Sequence, residues 1–220
     1  MQKKIAVIND LSGYGRCSLT VAIPVLSVMG HQCCPVPTAI LSNHTEFPVY
    51  FFDDYTEKMT AYTDKWKELG LSFDAVATGF LGSEAQIEIV MDMIRKLESE
   101  ETFVVVDPVM GDHGHAYETY TPEMCEQMKE LVCMADIVLP NVTECCILTD
   151  TPYKKENWTR RELLNMAMML RLMGAKSVVI TGVREGSYYT NVVLERGQME
   201  AKFIRTRSSG GERPGTGDVF

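Results

Sequence analysis

The hydrophobic and polar positions alternate between short apolar runs and longer amphipathic segments along most of the chain. The apolar runs, rich in β-branched residues, are typical of interior strands that are covered on both faces. They predict strands at residues 4–9, 33–40, 75–78, 102–106, 137–139 and 177–181. Segments with helical spacing follow the first five of these runs, at residues 18–29, 56–69, 83–97, 121–133 and 159–173. This alternation predicts an α/β fold, a doubly wound and mostly parallel sheet flanked by helices.

Three of the predicted helices carry an N-terminal signal. Ser83 with Gln86 has the spacing of a capping box, in which two side chains satisfy the first backbone amides of a helix. Thr159 with Glu162 has the same spacing. Thr121 precedes Pro122, and proline is favoured at the first helical position. We therefore expect helices to begin at these three points.

Other segments depart from the alternation. Residues 10–13 predict a turn after the first strand, and residues 41–55 lack a clear period, which indicates a long loop of the kind that often carries function. Residues 188–194 and 199–205 flank Gly197 and predict an antiparallel hairpin near the C-terminal end. No repeat, linker or low-complexity tract divides the chain, so we expect a single domain over residues 1–220.

Composition and charge exclude several classes of protein. The chain is 45% hydrophobic and carries a formal charge of -9, which leaves no basic surface for nucleic acid. No run of about 18 apolar residues is present, so we expect no membrane partner. The seven cysteines include two adjacent pairs and no C-x-x-C, which fits neither a disulfide framework nor a zinc ribbon. They indicate reduced thiols and a cytoplasmic protein.

Ligands of an open α/β sheet bind beyond the carboxyl ends of its strands, and the candidate chemistry lies at those positions. The residues there are rich in carboxylates and glycine and poor in lysine. They are residues 9–15, 42–46, 79–82, 107–112, 141–144, 181–185 and 215–218. This mixture suits a polyphosphate held through Mg²⁺ and backbone N–H groups.

The glycine-rich segments do not fit the common nucleotide motifs. Gly13 and Gly15 follow a strand, but Ser18 takes the third position of a dinucleotide fingerprint, and no glycine precedes a Lys-Ser or Lys-Thr pair. Gly215-Thr216-Gly217-Asp218 can cradle an anion with successive amides while the aspartate accepts a proton. A plain glycine-rich turn remains the alternative for these four residues.

Two further segments offer oxygen ligands. Asp107 ends a buried strand and is followed by Pro108, which directs the chain into a loop. Asn141 and Glu144 follow the next strand, and converging oxygens are what Mg²⁺ requires. A solvated loop acid is the alternative for Asp107. His113 and His115 have no third ligand at zinc spacing, so we favour a loop role over a metal site.

Taken together, the motifs resemble those of the pyridoxal and pyridoxamine kinases of the ribokinase superfamily. The resemblance spans the whole chain. Its motifs, in order, are NDLSGYGR (9–16), SNHT (42–45), GFLG (79–82), DPVMG (107–111), PNVTE (140–144) and GTGD (215–218). It implies a ribokinase-like fold and ATP-dependent phosphorylation of the 5′-hydroxymethyl group of pyridoxal, pyridoxine or pyridoxamine. ATP and Mg²⁺ are the implied cofactors, with a monovalent cation left open.

The resemblance also implies roles for individual residues. Asp218 would be the catalytic base, with the amides of Gly215, Thr216 and Gly217 as the anion hole. Asp107 and Glu144 would hold Mg²⁺, partly through water. The other implied contacts are Asp112, Asn141, Thr181 and Tyr120 toward ATP, and Asp10, Ser12, His44, Thr45 and Phe80 toward the vitamer. Residues 112–120 would form a lid with Gly111 and Gly114 as hinges.

Two positions depart from the family pattern. Many pyridoxal kinases have a serine where Asp10 stands, and Asp-Leu-Ser-Gly is similar to the opening of hydroxymethylpyrimidine kinases. Asp10 could pair with the pyridinium nitrogen or with the amine of pyridoxamine. Phe80 stands where a tyrosine is common, so stacking is retained and a hydroxyl contact is lost.

Two alternative functions therefore stay open, and one protein partner is expected. The first alternative is a hydroxymethylpyrimidine kinase of thiamine synthesis. The second is an inert nucleotide-binding fragment, because the resemblance implies a helix after Asp218 and only Val219 and Phe220 follow. On this view the chain is cut just after GTGD. The family also implies a homodimer, with residues 47–55 as a contact.

Overall fold

The computed structural model describes residues 2–45, 47–97, 99, 101–209 and 217–219. The chain forms two compact units, one of Met1–Val104 with Glu212–Phe220 and one of Val105–Gly211. We call them unit 1 and unit 2. Both are built from strands and helices of the predicted α/β kind, and the α/β fold is confirmed.

Unit 1 holds mostly parallel strands with helices packed on them. Its elements are β1 (Lys4–Tyr14), α1 (Leu19–Val28), β2 (Gln32–Asn43), β3 (Phe52–Asp54), α2 (Thr56–Glu68), β4 (Ala75–Thr78), α3 (Glu84–Leu97) and, after the segment that forms unit 2, the 3₁₀ turn η1 (Gly217–Val219). The strand order is β3-β2-β1-β4, with β1 parallel to both β2 and β4 and β3 antiparallel to β2. All six helical and strand segments predicted before residue 98 are present.

The core of unit 1 forms where strand side chains meet the helices. Ile8, Val36 and Val76 are fully buried, and so are Ile87 and Ile94 on one face of α3. The apolar positions of α3 recur every three to four residues, which keeps them on that face. Helix α1 packs on β1 and β2, whereas α2 packs on β2 and α3.

The first strand runs further than the sequence predicts. Residues 10–13 were expected to form a turn, but β1 continues to Tyr14 because these residues pair with an equally extended β2. The register shifts between Asn9 and Leu11, where β2 carries one more residue than β1. Such a bulge re-aims side chains and is common beside functional sites.

The expected loop at residues 41–55 also contains regular structure. Strand β2 extends to Asn43, and β3 returns antiparallel to it, with Ala39 opposite Asp54 and Leu41 opposite Phe52. The prediction of an irregular loop was therefore wrong at both ends. Strand β3 has only three residues, which is too few for an alternation of apolar and polar positions to be recognised in the sequence.

Unit 2 combines parallel strands with the predicted antiparallel hairpin. Its elements are β5 (Phe103–Val106), which begins in unit 1, β6 (Gly111–Asp112), β7 (His115–Ala116), α4 (Pro122–Cys133), β8 (Ile137–Val138), α5 (Val142–Leu148), α6 (Arg160–Met173), β9 (Ser177–Glu185), β10 (Tyr188–Leu194) and β11 (Lys202–Arg207). The order is β5-β8-β9-β10-β11, parallel up to β9 and antiparallel beyond it. Strands β6 and β7 form a separate two-stranded hairpin.

Helix α5 was not predicted from the sequence. It has seven residues, fewer than two turns, which is too short for a helical period to be distinguished from a loop. Asn141 caps it and forms a complete capping box with Glu144. The two residues chosen as oxygen ligands are therefore also the start of a helix.

The predicted helix starts are largely confirmed. Thr121 caps α4 by accepting from the amide of Met124, and Thr159 forms the capping box of α6 with Glu162. The box predicted for α3 is only half formed. The Ser83 hydroxyl accepts from the Gln86 amide at 3.3 Å, but the Gln86 side chain turns into the protein.

All seven cysteines are free thiols, which agrees with the absence of a disulfide framework. Among the described residues, no helix combines the length and the apolar character that crossing a bilayer requires.

We predict that Thr159→Ala lowers the free energy of unfolding by about 1 kcal/mol, because the first turn of α6 loses its side-chain acceptor. Urea unfolding followed by circular dichroism measures the loss. Thr159→Ser is the matched control, since its hydroxyl can still accept from the Glu162 amide. Equal stability of the alanine and serine variants would contradict the capping role.

Candidate active site

Asn9, a buried residue of β1, organises the neighbouring loop in unit 1. Its Oδ1 accepts hydrogen bonds from the amides of Asp10 at 3.0 Å and Phe80 at 2.9 Å. A Cβ on Gly79 would lie 2.3 Å from Nδ2 of the Asn9 side chain, so only glycine lets the two segments approach this closely. Asn9 lies in the predicted segment 9–15 but was given no role of its own, although its place at the end of the predicted strand could have indicated one.

Phe80 is held by its backbone on both sides. Its amide donates to Asn9, and its carbonyl accepts from the Thr38 hydroxyl at 3.0 Å. The ring is partly exposed. The backbone at this position is therefore restrained while the ring remains available for contact.

Asp10 is a buried carboxylate in β1, and its backbone amide shares the acceptor Asn9 Oδ1 with the amide of Phe80. It is 7% exposed, and its Oδ2 accepts from the hydroxyl of Ser12, itself 1% exposed, at 3.0 Å. Burial raises the pKa of Asp10, and the charge of Asp218 raises it further, while hydroxyl donors from Ser18 and Ser12 oppose the rise. The predicted residues Asp10, Ser12 and Asp218 thus lie near one another in unit 1.

His44 and Thr45 follow β2. The His44 ring packs against Phe47 at 4.6 Å between centroids and closely covers Gly15, whose φ of 103° favours glycine. His44 Nδ1 is buried without a hydrogen-bond partner among the described residues. Thr45 is exposed. The His44 ring therefore packs on two neighbouring residues, Phe47 and Gly15.

The GTGD segment is described only in part. Gly217 and Asp218 begin η1, which contacts α1, and Asp218 is partly buried. Gly215 and Thr216, predicted to form the anion hole with Gly217, lie outside the described residues. The charge of Asp218 is one of the causes that raise the pKa of Asp10.

Glu144 is the central polar residue of unit 2. It is 3% exposed, and its two carboxylate oxygens accept from the amides of Asn141 at 2.8 Å and Met110 at 3.2 Å. It therefore joins the start of α5 to the DPVMG segment. The sequence identified the residue, but only the structure shows that both its oxygens already accept backbone amides.

Asn141 and Thr143 hold the β6–β7 hairpin. Asn141 Nδ2 donates to the carbonyl of Gly111 at 2.9 Å, and the Thr143 hydroxyl accepts from the amide of Gly114 at 2.9 Å. Gly114 has a φ of 87° and lies under the ring of Tyr153. Thr143 lies in the predicted segment 141–144 but was given no role of its own, because its contact joins residues that are 29 positions apart in the sequence.

Three predicted carboxylates interact electrostatically in unit 2. Burial raises the pKa of Glu144 well above its ordinary value, and the charges of Asp107 and Asp112 add to the rise. The amides of Asn141 and Met110 oppose it. A divalent cation would relieve this repulsion, so the charge pattern fits Mg²⁺. In the part of the chain that the structure describes, no three His, Cys, Asp or Glu side chains converge closely enough to form a complete metal site.

Tyr120 and Thr181 complete the predicted residues of unit 2. Tyr120 is 7% exposed, and its hydroxyl has no hydrogen-bond partner among the described residues. Burial raises its pKa, and the charge of Glu144 contributes. Thr181 pairs with Asn141 in an isolated bridge, and its amide donates to the carbonyl of Pro140 at 2.9 Å. Tyr120 therefore lies within the electrostatic influence of Glu144, and Thr181 lies beside Asn141, the capping partner of Glu144.

Comparison with relatives of known name agrees with these motifs. Pyridoxal kinase of Dictyostelium discoideum is 29% identical over 190 residues, which is 83% of this chain and 61% of that protein. Pyridoxal kinase PdxY of Leifsonia xyli is 28% identical and covers 98% of this chain, which spans 77% of its length. The chain thus spans roughly three fifths to three quarters of the length of these two relatives.

Solved structures extend the likeness to the whole chain. A protein of Bacteroides thetaiotaomicron, provisionally named a phosphomethylpyrimidine kinase, is 42% identical with a TM-score of 0.95 over 99% of this chain and 75% of that one. A second crystal form of it, with pyridoxal, has a TM-score of 0.94. Pyridoxal kinase of Lactobacillus plantarum is 29% identical, with a TM-score of 0.89 over 99% of this chain and 77% of that one.

A family profile decides the membership. Residues 23–220 match the phosphomethylpyrimidine kinase family, which is most of the chain. The chain belongs to the phosphomethylpyrimidine kinase family and has the ribokinase-like fold that its pyridoxal kinase relatives share.

Proposed function

We propose that the full-length protein transfers the γ-phosphoryl group of ATP to the 5′-hydroxymethyl group of a vitamin B6 vitamer. The observation that carries the proposal is the 42% identity over 99% of this chain to the Bacteroides protein whose structure contains pyridoxal. The relatives named pyridoxal kinase support the same substrate class. The chain spans 61% and 77% of the lengths of these two relatives, so the activity is proposed for the whole protein.

Unit 1 supplies the vitamer contacts and the base in this proposal. Phe80 contacts the pyridine ring from a backbone that Asn9 and Thr38 restrain. Asp10, Ser12, His44 and Thr45 complete the contacts to the ring and its substituents. Asp218 accepts the proton of the 5′-hydroxyl as the new O–P bond forms and the bond from the γ-phosphorus to ADP breaks. The amides of Gly215, Thr216 and Gly217 donate to the oxygens of the transferring phosphoryl group and stabilise their negative charge.

Unit 2 supplies the contacts to the nucleotide. Asp112, Asn141, Thr181 and Tyr120 are the proposed contacts to ATP, a substrate class consistent with a Leishmania donovani pyridoxal kinase structure that contains ADP. Asp107 would hold Mg²⁺ directly. Glu144 would act through water, because both its oxygens accept backbone amides and Mg²⁺ usually retains several waters. When bound, Mg²⁺ neutralises charge on the phosphates.

Two finer features belong to the same proposal. The segment that includes Phe47, Tyr50, Phe51 and Phe52 exposes 37–64% of each of these aromatic side chains. Burying this surface supports a homodimer that uses residues 47–55. The seven free thiols support a reducing, cytoplasmic location.

A pyrimidine substrate is the second candidate, and two observations favour it. The matched family is named for phosphomethylpyrimidine kinase, and Asp10 stands where many pyridoxal kinases have serine. A hydroxymethylpyrimidine and a B6 vitamer are both flat rings with a hydroxymethyl group, so the residues that bind one ring can also accommodate the other.

We predict that B6 vitamers are phosphorylated with a higher kcat/KM than hydroxymethylpyrimidine. The measurement is competition between pyridoxamine and hydroxymethylpyrimidine in one reaction, with the two phosphorylated products separated by chromatography. A higher kcat/KM for the pyrimidine would assign the protein to thiamine synthesis instead.

Asp218→Asn should lower kcat by about 10²–10⁴-fold, since the 5′-hydroxyl loses its proton acceptor. The dissociation constant for ATP should change by less than about twofold, because the base does not bind the nucleotide. Turnover by ADP release and ATP binding by calorimetry measure the two effects. Asp92→Asn, on the exposed side of α3, is the control. Undiminished turnover in Asp218→Asn would remove this residue from the mechanism.

Asp10→Asn should stabilise the protein at neutral pH. The pKa of Asp10 in the folded state is raised above 3.8, its ordinary value. The folded state therefore loses stability as the pH rises from the pKa of the unfolded chain to that of the folded state. The asparagine variant escapes this loss, and its advantage in melting temperature should shrink as the pH is lowered toward 3.8. Melting temperatures of both proteins from about pH 4 to about pH 8 test the sign.

The same variant tests recognition of charge on the vitamer. If Asp10 pairs with the amine, KM should rise for pyridoxamine and stay nearly constant for pyridoxal; if it pairs with the pyridinium nitrogen, both should rise. An unchanged KM for every vitamer would exclude Asp10 from substrate binding.

A further inference from the structure

Gln86 is a buried side-chain amide with partners from three separate segments of unit 1. It is 1% exposed on α3, and its Oε1 accepts from the amide of Gly82 at 2.8 Å. Its Nε2 lies within hydrogen-bond distance of the Thr38 carbonyl at 2.9 Å, Thr56 Oγ1 at 2.9 Å and Asp54 Oδ1 at 3.1 Å. An apolar residue would fill this core position without the desolvation cost of an amide, so the cost needs a compensating gain.

The gain lies in the loop of residues 79–82. The Phe80 ring lies over Gly82, with Cε1 3.6 Å and Cζ 3.7 Å from where a Cβ of Gly82 would stand. Gln86 Oε1 is 3.8 Å from the same point. By holding the Gly82 amide, Gln86 fixes the backbone on which the ring of Phe80 rests.

The bulge in β2 supplies the second half of this arrangement. Thr38 lies in the stretch where the β1–β2 register shifts. Its hydroxyl donates to the Phe80 carbonyl, and its carbonyl accepts from both Gln86 Nε2 and the amide of Tyr55 at 3.1 Å. Gln86 and Thr38 therefore hydrogen-bond the loop at Gly82 and at Phe80. They also hydrogen-bond the segment that leads from β3 into α2.

We propose that Gln86 is a positioning residue that sets the orientation of the Phe80 ring toward the substrate ring. The proposal rests on the proposed function, because it assigns Phe80 to ring contact. Gln86 itself does not contact the substrate. Its loss should weaken binding of the vitamer while the groups that transfer the phosphoryl group stay in place.

Gln86→Met in the full-length protein is the central test, because methionine has a similar length and a high helix propensity. KM for pyridoxal should rise about tenfold, with kcat and KM for ATP each within about twofold of wild type. Amide hydrogen exchange should become faster in the peptide that contains Phe80 and Gly82. Thr38→Val, which removes only the hydroxyl bond to Phe80, should raise KM for pyridoxal in the same direction.

Thr102→Val is the matched control. Thr102 is also buried in unit 1, and its hydroxyl donates to the Phe73 carbonyl, at the other end of the strands. It should lower the melting temperature without changing KM or the exchange of residues 79–82. A lower melting temperature alone therefore does not produce the expected result.

The outcomes separate this inference from the proposed function. Folded Gln86→Met and Thr38→Val proteins with unchanged KM for pyridoxal would overturn the positioning role, and so would unchanged exchange at Phe80 and Gly82. If Gln86→Met does not fold, Thr38→Val decides by the same two readouts. A wild-type protein that phosphorylates no vitamer would instead overturn the proposed function, whatever the exchange data show.

Discussion

Several backbone amides in the segments that carry the candidate residues donate to side-chain oxygens and not to a neighbouring strand. An unsatisfied buried amide costs about 1–3 kcal/mol, so a polar side chain has to reach each of them. In unit 1, Asn9 accepts from Asp10 and Phe80, and Gln86 accepts from Gly82. In unit 2, Glu144 accepts from Asn141 and Met110. The same side chains that satisfy the backbone therefore determine the shape of the loops.

This solution places charge where burial opposes it. Asp10 and Glu144 are 7% and 3% exposed, and the pKa of each is raised mainly by burial. A carboxylate whose pKa is raised in the folded state lowers stability at neutral pH. Asp92, by contrast, is a surface carboxylate whose side chain is 65% exposed and paired with Arg95. The contrast supports a functional reason for the two buried acids.

The strands and helices were largely predictable because each depends on a local pattern. The apolar run at β4 and the capping box at α6 are examples, since their neighbours along the chain suffice to define them. The extension of β1 to Tyr14 and the helix that begins at Val142 were not predictable. A strand ends where its partner ends, and a helix of seven residues is too short to show a period.

The sequence by itself determined the α/β fold class, the helix caps at Thr121 and Thr159, and the residue types that could hold a nucleotide, a cation and a ring. These depend on local periodicity and on the chemistry of single side chains. The tertiary structure alone decided that Gln86 turns inward to Gly82 and that Glu144 already accepts two amides. Hydrogen bonds of this kind join residues far apart in the chain, and only packing shows which buried donor each acceptor meets.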